Sequence, residues 1–247
     1  MIVWFIFMEP LNNERDSSGN KSVSLELDTG AIDGLKKMPV DMFDDVYLGE
    51  TYDNALILCV DVRHFSDFMH TQADEIVFKL ITEFTSNLLS CINQFGYGCS
   101  YYKFLGDGVL VIWDEANENA INEALKIFDS YTHFLDEELF RPFDHLGLAG
   151  ALVVEKVFKF EISAEVSQLK YRDYVGYGIN LACRLQALAG VDELVLNEKL
   201  AQSGAITYRV EESPDRIREL HHLKGLKEID RNRVLFYDRE PSSDSGK

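Results

Sequence analysis

Apolar and polar positions follow each other in stretches that predict strands and helices in turn. The continuous apolar run 55–60 is typical of a strand that is buried on both faces of a sheet. Apolar residues recur at helical spacing over 71–95 and again over 115–140. Gly96 and Pro142 follow these stretches, where such residues commonly end helices. The pattern therefore predicts a buried strand followed by two long amphipathic helices.

Shorter patterns fill the rest of the chain. Apolar runs at 100–105 and 109–113 predict two strands, and Gly106-Asp107-Gly108 between them predicts a tight hairpin. Further strands are expected within 146–160, at 194–196 and near 205–211 and 233–238, with a third helix at 177–189. This order of elements favours an α+β fold, in which helices pack on one face of a mostly antiparallel sheet.

Both ends of the chain differ in composition from this core. Residues 1–50 form a mostly polar segment that we expect to be partly ordered at best, and 241–247 form an expected disordered tail. The first eight residues are almost wholly apolar, but they are too few for a membrane span of about 20 residues. Met8 is an alternative first residue. The remaining stretch, 51–240, is expected to be one domain.

The charge balance disfavours some functions. Acidic residues number 42 and basic residues 24, which gives a formal net charge of −18. Such a surface repels nucleic acids and anionic membranes, so neither is an expected partner. A nucleotide ligand would need metal ions or a few placed cations. The four cysteines form no Cys-X-X-Cys pair, which suits a reducing cytoplasm.

Two aspartates occupy positions that suit metal binding. Asp61 directly follows the buried apolar run, and Asp107 lies in the predicted hairpin. A carboxylate at the end of a central strand can hold a hard cation, although an aspartate in either position taken alone is more often a strand-capping or turn residue. If the hairpin lies beside the strand, the two carboxylates could share a pair of cations that promotes in-line attack at phosphorus.

The predicted third helix carries a second polar pair. Asn180 and Arg184 are four residues apart and therefore lie on one helix face. They could form a solvated polar stripe. Alternatively, the amide could orient a sugar while the guanidinium stabilises charge on a phosphoryl group.

Taken together, these residues resemble three motifs of the class III nucleotidyl cyclases. Residues 58–66 (LCVDVRHFS) resemble the first metal motif, and 102–108 (YKFLGDG) resemble the base-contacting and second metal motif. Residues 173–185 (DYVGYGINLACRL) resemble the transition-state motif. Weaker matches are Leu146-Gly147 and Leu223-Lys224-Gly225. The likeness covers about 55–238, with the order and spacing of the family.

The resemblance implies the ferredoxin-like catalytic core of class III cyclases. It also implies a head-to-tail homodimer with two composite sites and two divalent cations, Mn²⁺ or Mg²⁺, in each. The implied metal ligands, all from one chain, are Asp61, Asp107 and the carbonyl of Val62. The other chain would contribute Lys103 and Asp173 for the base, Asn180 for the ribose and Arg184 for the transition state. Phe65 and Lys224 are further substrate-binding candidates. His145 stands where the family often has an arginine, so a triphosphate contact there is in doubt.

The implied reaction is attack of a nucleoside triphosphate's 3′-hydroxyl on its own α-phosphorus. The products are a 3′,5′-cyclic nucleotide and pyrophosphate. Among class III enzymes, the chain most resembles the stand-alone pyrimidine cyclases of bacterial Pycsar anti-phage systems, whose product acts through a separate effector protein. The favoured activity is thus a cytoplasmic uridylate cyclase.

The base remains the most open point. The Lys103 and Asp173 pair can satisfy any base edge, and in the family it usually accompanies adenine. Bulky residues near the motifs favour a pyrimidine, UTP ahead of CTP, because they would fill a purine-sized pocket. These residues are Tyr101, Tyr102, Phe104 and Tyr177. ATP as substrate, and a catalytically inactive nucleotide-binding module, are the alternatives; a diguanylate cyclase or an RNA-binding module has less support.

Overall fold

The computed structural model describes residues 45–239, apart from 142, 144 and 165–168. Almost all of them belong to one compact unit, which takes in Val46–Ile162 and Tyr171–Lys247. The expected N-terminal segment up to residue 44, the choice of first residue and the expected C-terminal tail lie outside the described residues. The domain limits 51–240 therefore stay a prediction.

An eight-stranded sheet forms the centre of this unit. Its strands are β1 (Asp45–Arg63), β2 (Tyr101–Phe104), β3 (Gly108–Trp113), β4 (Gly147–Ala164), β5 (Leu169–Val175), β6 (Glu193–Leu196), β7 (Tyr208–Glu211) and β8 (Val234–Tyr237). They lie in the order β2-β3-β1-β4-β6-β8-β7, and β5 pairs with β4. The β1–β3, β2–β3, β6–β8 and β7–β8 pairs are antiparallel, whereas β4–β6 is parallel. The predicted α+β fold with a mostly antiparallel sheet is confirmed.

Helices cover both faces of the sheet. They are α1 (Phe65–Thr71), α2 (Asp74–Phe95), α3 (Glu118–Phe134, continued by a π-helical turn at Leu135–Leu139), α4 (Tyr177–Gln186), α5 (Glu198–Ala201) and α6 (Pro214–His222), with a 3₁₀ turn at Glu228–Arg231. Leu56 and Leu58 of β1 pack with α2 and α3 in one core. Ile57 and Cys59 pack with Leu181 of α4 in a second core. The expectation of helices on one face is therefore wrong, because β1 buries both sets of its alternating side chains.

Local signals explain the other differences. The helix predicted at 71–95 is α2, which begins only at Asp74 because Gln72 and Ala73 have extended backbone angles, and the short α1 before it was not predicted. Helix α6 was not predicted, although its start carries two common signals. Ser213 caps it by accepting a hydrogen bond from the Arg216 N–H, and Pro214 occupies the first turn. Within the described residues, none of the helices combines the length and the apolar character that crossing a bilayer requires.

Candidate active site

The β2–β3 hairpin places Asp107 beside Asp61, as the sequence predicted. Asp61 pairs with Gly108 in the antiparallel register of β1 and β3. A Cβ atom at residue 108 would lie 2.4 Å from the Val60 carbonyl oxygen and 3.1 Å from Asp61 Oδ1, so only glycine allows this approach. β1 continues to Arg63, so Asp61 lies inside the strand, two residues before its end. We call Asp61 and Asp107 the acid pair.

The acid pair holds little compensating charge. Burial raises the pKa of Asp61, and the neighbouring carboxylate of Asp107 raises it further. The Arg63 guanidinium, whose Nη1 lies 3.9 Å from Asp61 Oδ2, opposes this increase without reversing it. Gln186 Nε2 donates one hydrogen bond to the same oxygen at 3.3 Å. Two converging carboxylates with so little positive charge nearby are suitable ligands for a hard divalent cation.

Across the described ranges, no further acidic side chain, cysteine or histidine joins the acid pair in a possible metal-binding group. The carbonyl of Val62, next in the chain, is a candidate oxygen donor, as are oxygens of a substrate or water. This set of hard oxygen donors fits Mg²⁺ or Mn²⁺.

Asp173 accepts hydrogen bonds from four donors, and we call this group the Asp173 cluster. Lys103 Nζ and the Tyr171 hydroxyl donate to Oδ2 at 2.5 Å and 2.6 Å. The Tyr101 hydroxyl and the backbone N–H of Tyr174 donate to Oδ1 at 2.9 Å and 2.8 Å. The structure thus brings together Lys103 and Asp173, the two predicted base-contacting residues.

The electrostatics of the Asp173 cluster are the reverse of those of the acid pair. Burial pushes the pKa of Asp173 upward, but the hydrogen bonds from Lys103, Tyr171, Tyr174 and Tyr101 outweigh it, so the pKa lies below its usual value. The same contact raises the pKa of Lys103. Asp173 therefore stays ionised and Lys103 stays protonated.

Helix α4 carries both residues of the predicted transition-state motif. Asn180 is exposed, whereas Arg184 is half-buried. Arg184 Nη1 donates a hydrogen bond to the Lys224 carbonyl. Gly225 follows with a φ of 75°, and a Cβ there would lie 2.9 Å from the same guanidinium nitrogen. The Lys224-Gly225 turn thus fits against Arg184 and brings the exposed Lys224 close to it.

Arg63 joins β1 to the C-terminal end of α4, a role that the sequence did not predict. Its Nε donates to the Ala189 carbonyl at 2.9 Å, and its Nη2 donates to the Gln186 carbonyl. Nearby, the Cys59 and Cys183 sulfurs lie 3.8 Å apart. Cations near the end of a helix satisfy its free carbonyls, so these contacts fix α4 against the strand that carries the acid pair.

Phe65 lies at the edge of the acid pair. It is buried in the first turn of α1, and together with Val62 and Asp107 it lines a cleft of about 300 Å³. The cleft is mainly apolar, with Met69 and Phe84 on its other walls. Phe65 is therefore positioned as part of a wall next to the Asp107 carboxylate.

The aromatic residues expected to fill a base pocket have separate roles. Tyr177 donates to Asp230 Oδ2 and accepts from the Lys227 N–H, each at 2.7 Å, so it holds the loop after α6. The rings of Tyr102 and Phe104 pack edge to face, with their centroids 6.4 Å apart. Because side chains alternate along a strand, Lys103 between them lies on the other face of β2. Of the four, Tyr101 contacts Asp173.

Tyr171 is the residue of the Asp173 cluster that the sequence analysis missed. A signal was present, because residues two apart on a strand share a face. The motif match began at Asp173, and no strand was predicted over 169–175.

His145, where the family often has arginine, is exposed just before β4.

The similarity of this structure to known proteins lies in its fold. No protein-family model and no curated protein matches the sequence. The adenylyl cyclase CyaB from P. aeruginosa matches with a TM-score of 0.63 and 16% identity, over 80% of this chain and 100% of that one. The fold is that of a nucleotidyl cyclase catalytic domain.

Two guanylyl cyclase structures support the same conclusion. The guanylate cyclase domain of RhGC from Catenaria anguillulae, solved with GTP, has a TM-score of 0.58 at 11% identity and covers 78% of this chain and 100% of that one. The guanylyl cyclase Cya2 has a TM-score of 0.56 at 16% identity, with coverage of 80% and 98%. The predicted cyclase fold is confirmed, and the activity must be argued from the site itself.

Proposed function

We propose that this chain is a metal-dependent nucleotidyl cyclase, which converts a nucleoside triphosphate to a 3′,5′-cyclic nucleotide and pyrophosphate. The observation that carries the proposal is the acid pair, held together by the Asp61–Gly108 register on a cyclase fold. Its charge is offset within the chain mainly by a guanidinium 3.9 Å away. Such a pair is costly unless a cation completes it.

Each predicted residue has a role in this reaction. Asp61, Asp107 and the Val62 carbonyl would hold two divalent cations. When bound, these cations lower the pKa of the attacking hydroxyl and neutralise phosphate charge. Asn180 would orient the ribose for the attack. The 3′-hydroxyl gives its proton to water, its oxygen bonds to the α-phosphorus, and the bond from that phosphorus to the bridging oxygen breaks to release pyrophosphate. Arg184 would stabilise charge on the phosphoryl oxygens, as arginine fingers do.

The remaining residues would bind the substrate. The Asp173 cluster, including Lys103, would hold the base, and Lys224 would contact the terminal phosphates from its turn beside Arg184. Phe65 would form the wall next to the acid pair. Because the net charge is −18, these few cations and the bound metal must supply the attraction for a polyanionic triphosphate.

The active form would be a head-to-tail homodimer. Among the solved neighbours, the guanylyl cyclase domain of the RhoGC fusion protein from Blastocladiella emersonii is described in one structure as a non-canonical dimer and in another as a monomer. In the proposed dimer, one subunit provides the acid pair of a site, and its partner provides the Asp173 cluster, Asn180 and Arg184. Each dimer would then hold two sites.

The favoured substrate is UTP, ahead of CTP. The product would be cyclic UMP, acting in the bacterial cytoplasm on a separate effector protein in anti-phage defence. Support for a pyrimidine comes from the aromatic side chains around Lys103 and Asp173. ATP remains the alternative, since CyaB on the same fold is an adenylyl cyclase.

The test is direct. Purified protein is incubated with each of the four ribonucleoside triphosphates and Mn²⁺ or Mg²⁺, and the products are separated by chromatography. We expect cyclic UMP or cyclic CMP to form faster than cyclic AMP. A higher kcat/KM for ATP than for both pyrimidines would overturn the pyrimidine assignment but leave the cyclase. Absence of any cyclic nucleotide would overturn the cyclase itself.

A further inference from the structure

Asp173 has no acceptor site left for a nucleotide base. An ionised carboxylate offers about four lone-pair positions, two on each oxygen. In this structure Oδ1 accepts from Tyr101 and the Tyr174 N–H, and Oδ2 accepts from Lys103 and Tyr171. A base that contacted Asp173 directly would have to displace one of these donors.

The two donors on Oδ2 are the groups that face solvent. Lys103 retains 40% of its side-chain accessibility and the Asp173 side chain only 11%. Tyr171 is 42% exposed. Its hydroxyl lies 2.6 Å from Asp173 Oδ2 and 3.4 Å from Lys103 Nζ, so it stands at the exposed edge of the cluster.

The exposed edge therefore presents one donor and one acceptor. Lys103 has three N–H groups, of which one is used by Asp173 and one is directed at Tyr171. The Tyr171 hydroxyl gives its proton to Asp173 and keeps lone-pair capacity. An incoming base would meet the free N–H of Lys103 and the oxygen of Tyr171.

We infer that Tyr171, and not Asp173, supplies the acceptor that contacts the base, and that it sets the depth of the base pocket. This inference rests on the proposed cyclase function. Asp173 is then a positioning residue, which fixes Tyr171 and Lys103. The Tyr171 hydroxyl oxygen, which would contact the base, lies 2.6 Å from Asp173 Oδ2. A base would therefore stop short of the carboxylate by about that distance. A pocket of reduced depth favours the single ring of a pyrimidine over a purine.

The decisive variant is Tyr171→Ala, which removes both the ring and the hydroxyl. It reopens Asp173 Oδ2 and deepens the pocket, so we expect the ratio of kcat/KM for ATP to that for UTP to rise roughly tenfold or more. Tyr171→Phe keeps the ring but loses the acceptor. It should lower kcat/KM for UTP about fivefold, with little gain for ATP.

Tyr102→Ala is the matched control. Tyr102 is a tyrosine of similar exposure, 44%, and adjoins Lys103 on the opposite face of β2. It should leave the ATP:UTP ratio unchanged. Thermal unfolding of all three variants checks that they fold, and if Tyr171→Ala does not, the UTP kcat/KM of Tyr171→Phe decides the question.

The outcomes separate the inference from the function on which it rests. If the wild type is active and Tyr171→Ala has the same ratio of kcat/KM for ATP to that for UTP, the inference is wrong and the cyclase function still stands. An equal shift in Tyr102→Ala would also overturn it, because the effect would then be general to this strand. A wild type that cyclises none of the triphosphates would remove both.

Discussion

Asp61 and Asp173 are two aspartates whose pKa values are displaced in opposite directions. At Asp61, burial and the Asp107 carboxylate raise the pKa, because the chain itself supplies little positive charge. At Asp173, four hydrogen-bond donors overcome burial and lower the pKa. The described residues satisfy the Asp173 carboxylate with hydrogen-bond donors, whereas they leave the acid pair with little balancing charge. In the proposed function, the first is a preformed base-binding surface and the second is a charge site that a cation would complete.

The largest effect should come from the acid pair. Asp61→Asn or Asp107→Asn removes one of the two charges that would hold the cations, so we expect turnover to fall roughly a thousandfold or more. Removal of the divalent cations by excess EDTA should have the same effect on the wild type. Product formation is measured by chromatography, and thermal unfolding confirms the fold.

Asp67→Asn is the matched control, since Asp67 is an exposed carboxylate on the nearby α1. It should retain full activity. Full activity of either acid-pair variant, or of the wild type in EDTA, would contradict the two-cation site.

The next effect concerns the proposed dimer. Inactive Asp61→Asn chains mixed with inactive Arg184→Ala chains should regain activity, because a mixed dimer has one intact composite site. With free exchange, half of the dimers are mixed, so about a quarter of wild-type activity is expected. If mass spectrometry shows that the chains exchange and no activity returns, the composite site is wrong.

A smaller effect distinguishes the two regions by stability. Asp173→Ala leaves Lys103 and two tyrosine hydroxyls without their acceptor, so it should lower the free energy of unfolding by about 1–3 kcal/mol. Asp61→Asn relieves repulsion, so it should leave stability unchanged or raise it. Urea unfolding without divalent cations measures both variants. Equal losses of unfolding free energy in Asp173→Ala and Asp61→Asn would contradict the contrast between the Asp173 cluster and the acid pair.

The smallest effect is a pH dependence. The pKa of Asp173 is lowered in the folded chain, so its ionised form stabilises the fold above the ordinary aspartate pKa of about 3.9. That stabilisation is lost as pH falls through the folded value. The stability difference between wild type and Asp173→Asn should therefore shrink from pH 6 to pH 3. A difference that stays constant would show that Asp173 is not held ionised.

Much of the acid pair could be predicted from the sequence because it depends on local pattern. The apolar run before Asp61 and the glycines around Asp107 specify a strand and a hairpin. The short connection between β2 and β3 accounts for the hairpin, and the antiparallel pairing of β3 with β1 then places that hairpin beside Asp61. Asp107 lies beside Asp61 because the β1–β3 register pairs Asp61 with Gly108.

The Asp173 cluster could be predicted only in part. Lys103 and Asp173 are 70 residues apart in the sequence, and their pairing depends on how β2 and β5 are placed by the whole sheet. The donor from Tyr171 could be found only once β5 was known to be a strand. The link from Arg63 to α4 was equally hidden, because its partners are backbone carbonyls, which leave no pattern of side chains.

The side chains of Arg63 and Gln186 connect β1 to α4. Arg63 holds the end of α4, and Gln186 of α4 reaches Asp61. In the proposed dimer, Asp61 and Arg184 of one chain serve different active sites. A movement of α4 as one site closes on its substrate would therefore shift a metal-binding carboxylate in the other. Each subunit would therefore couple the two sites, so that substrate binding at one changes the geometry of the other.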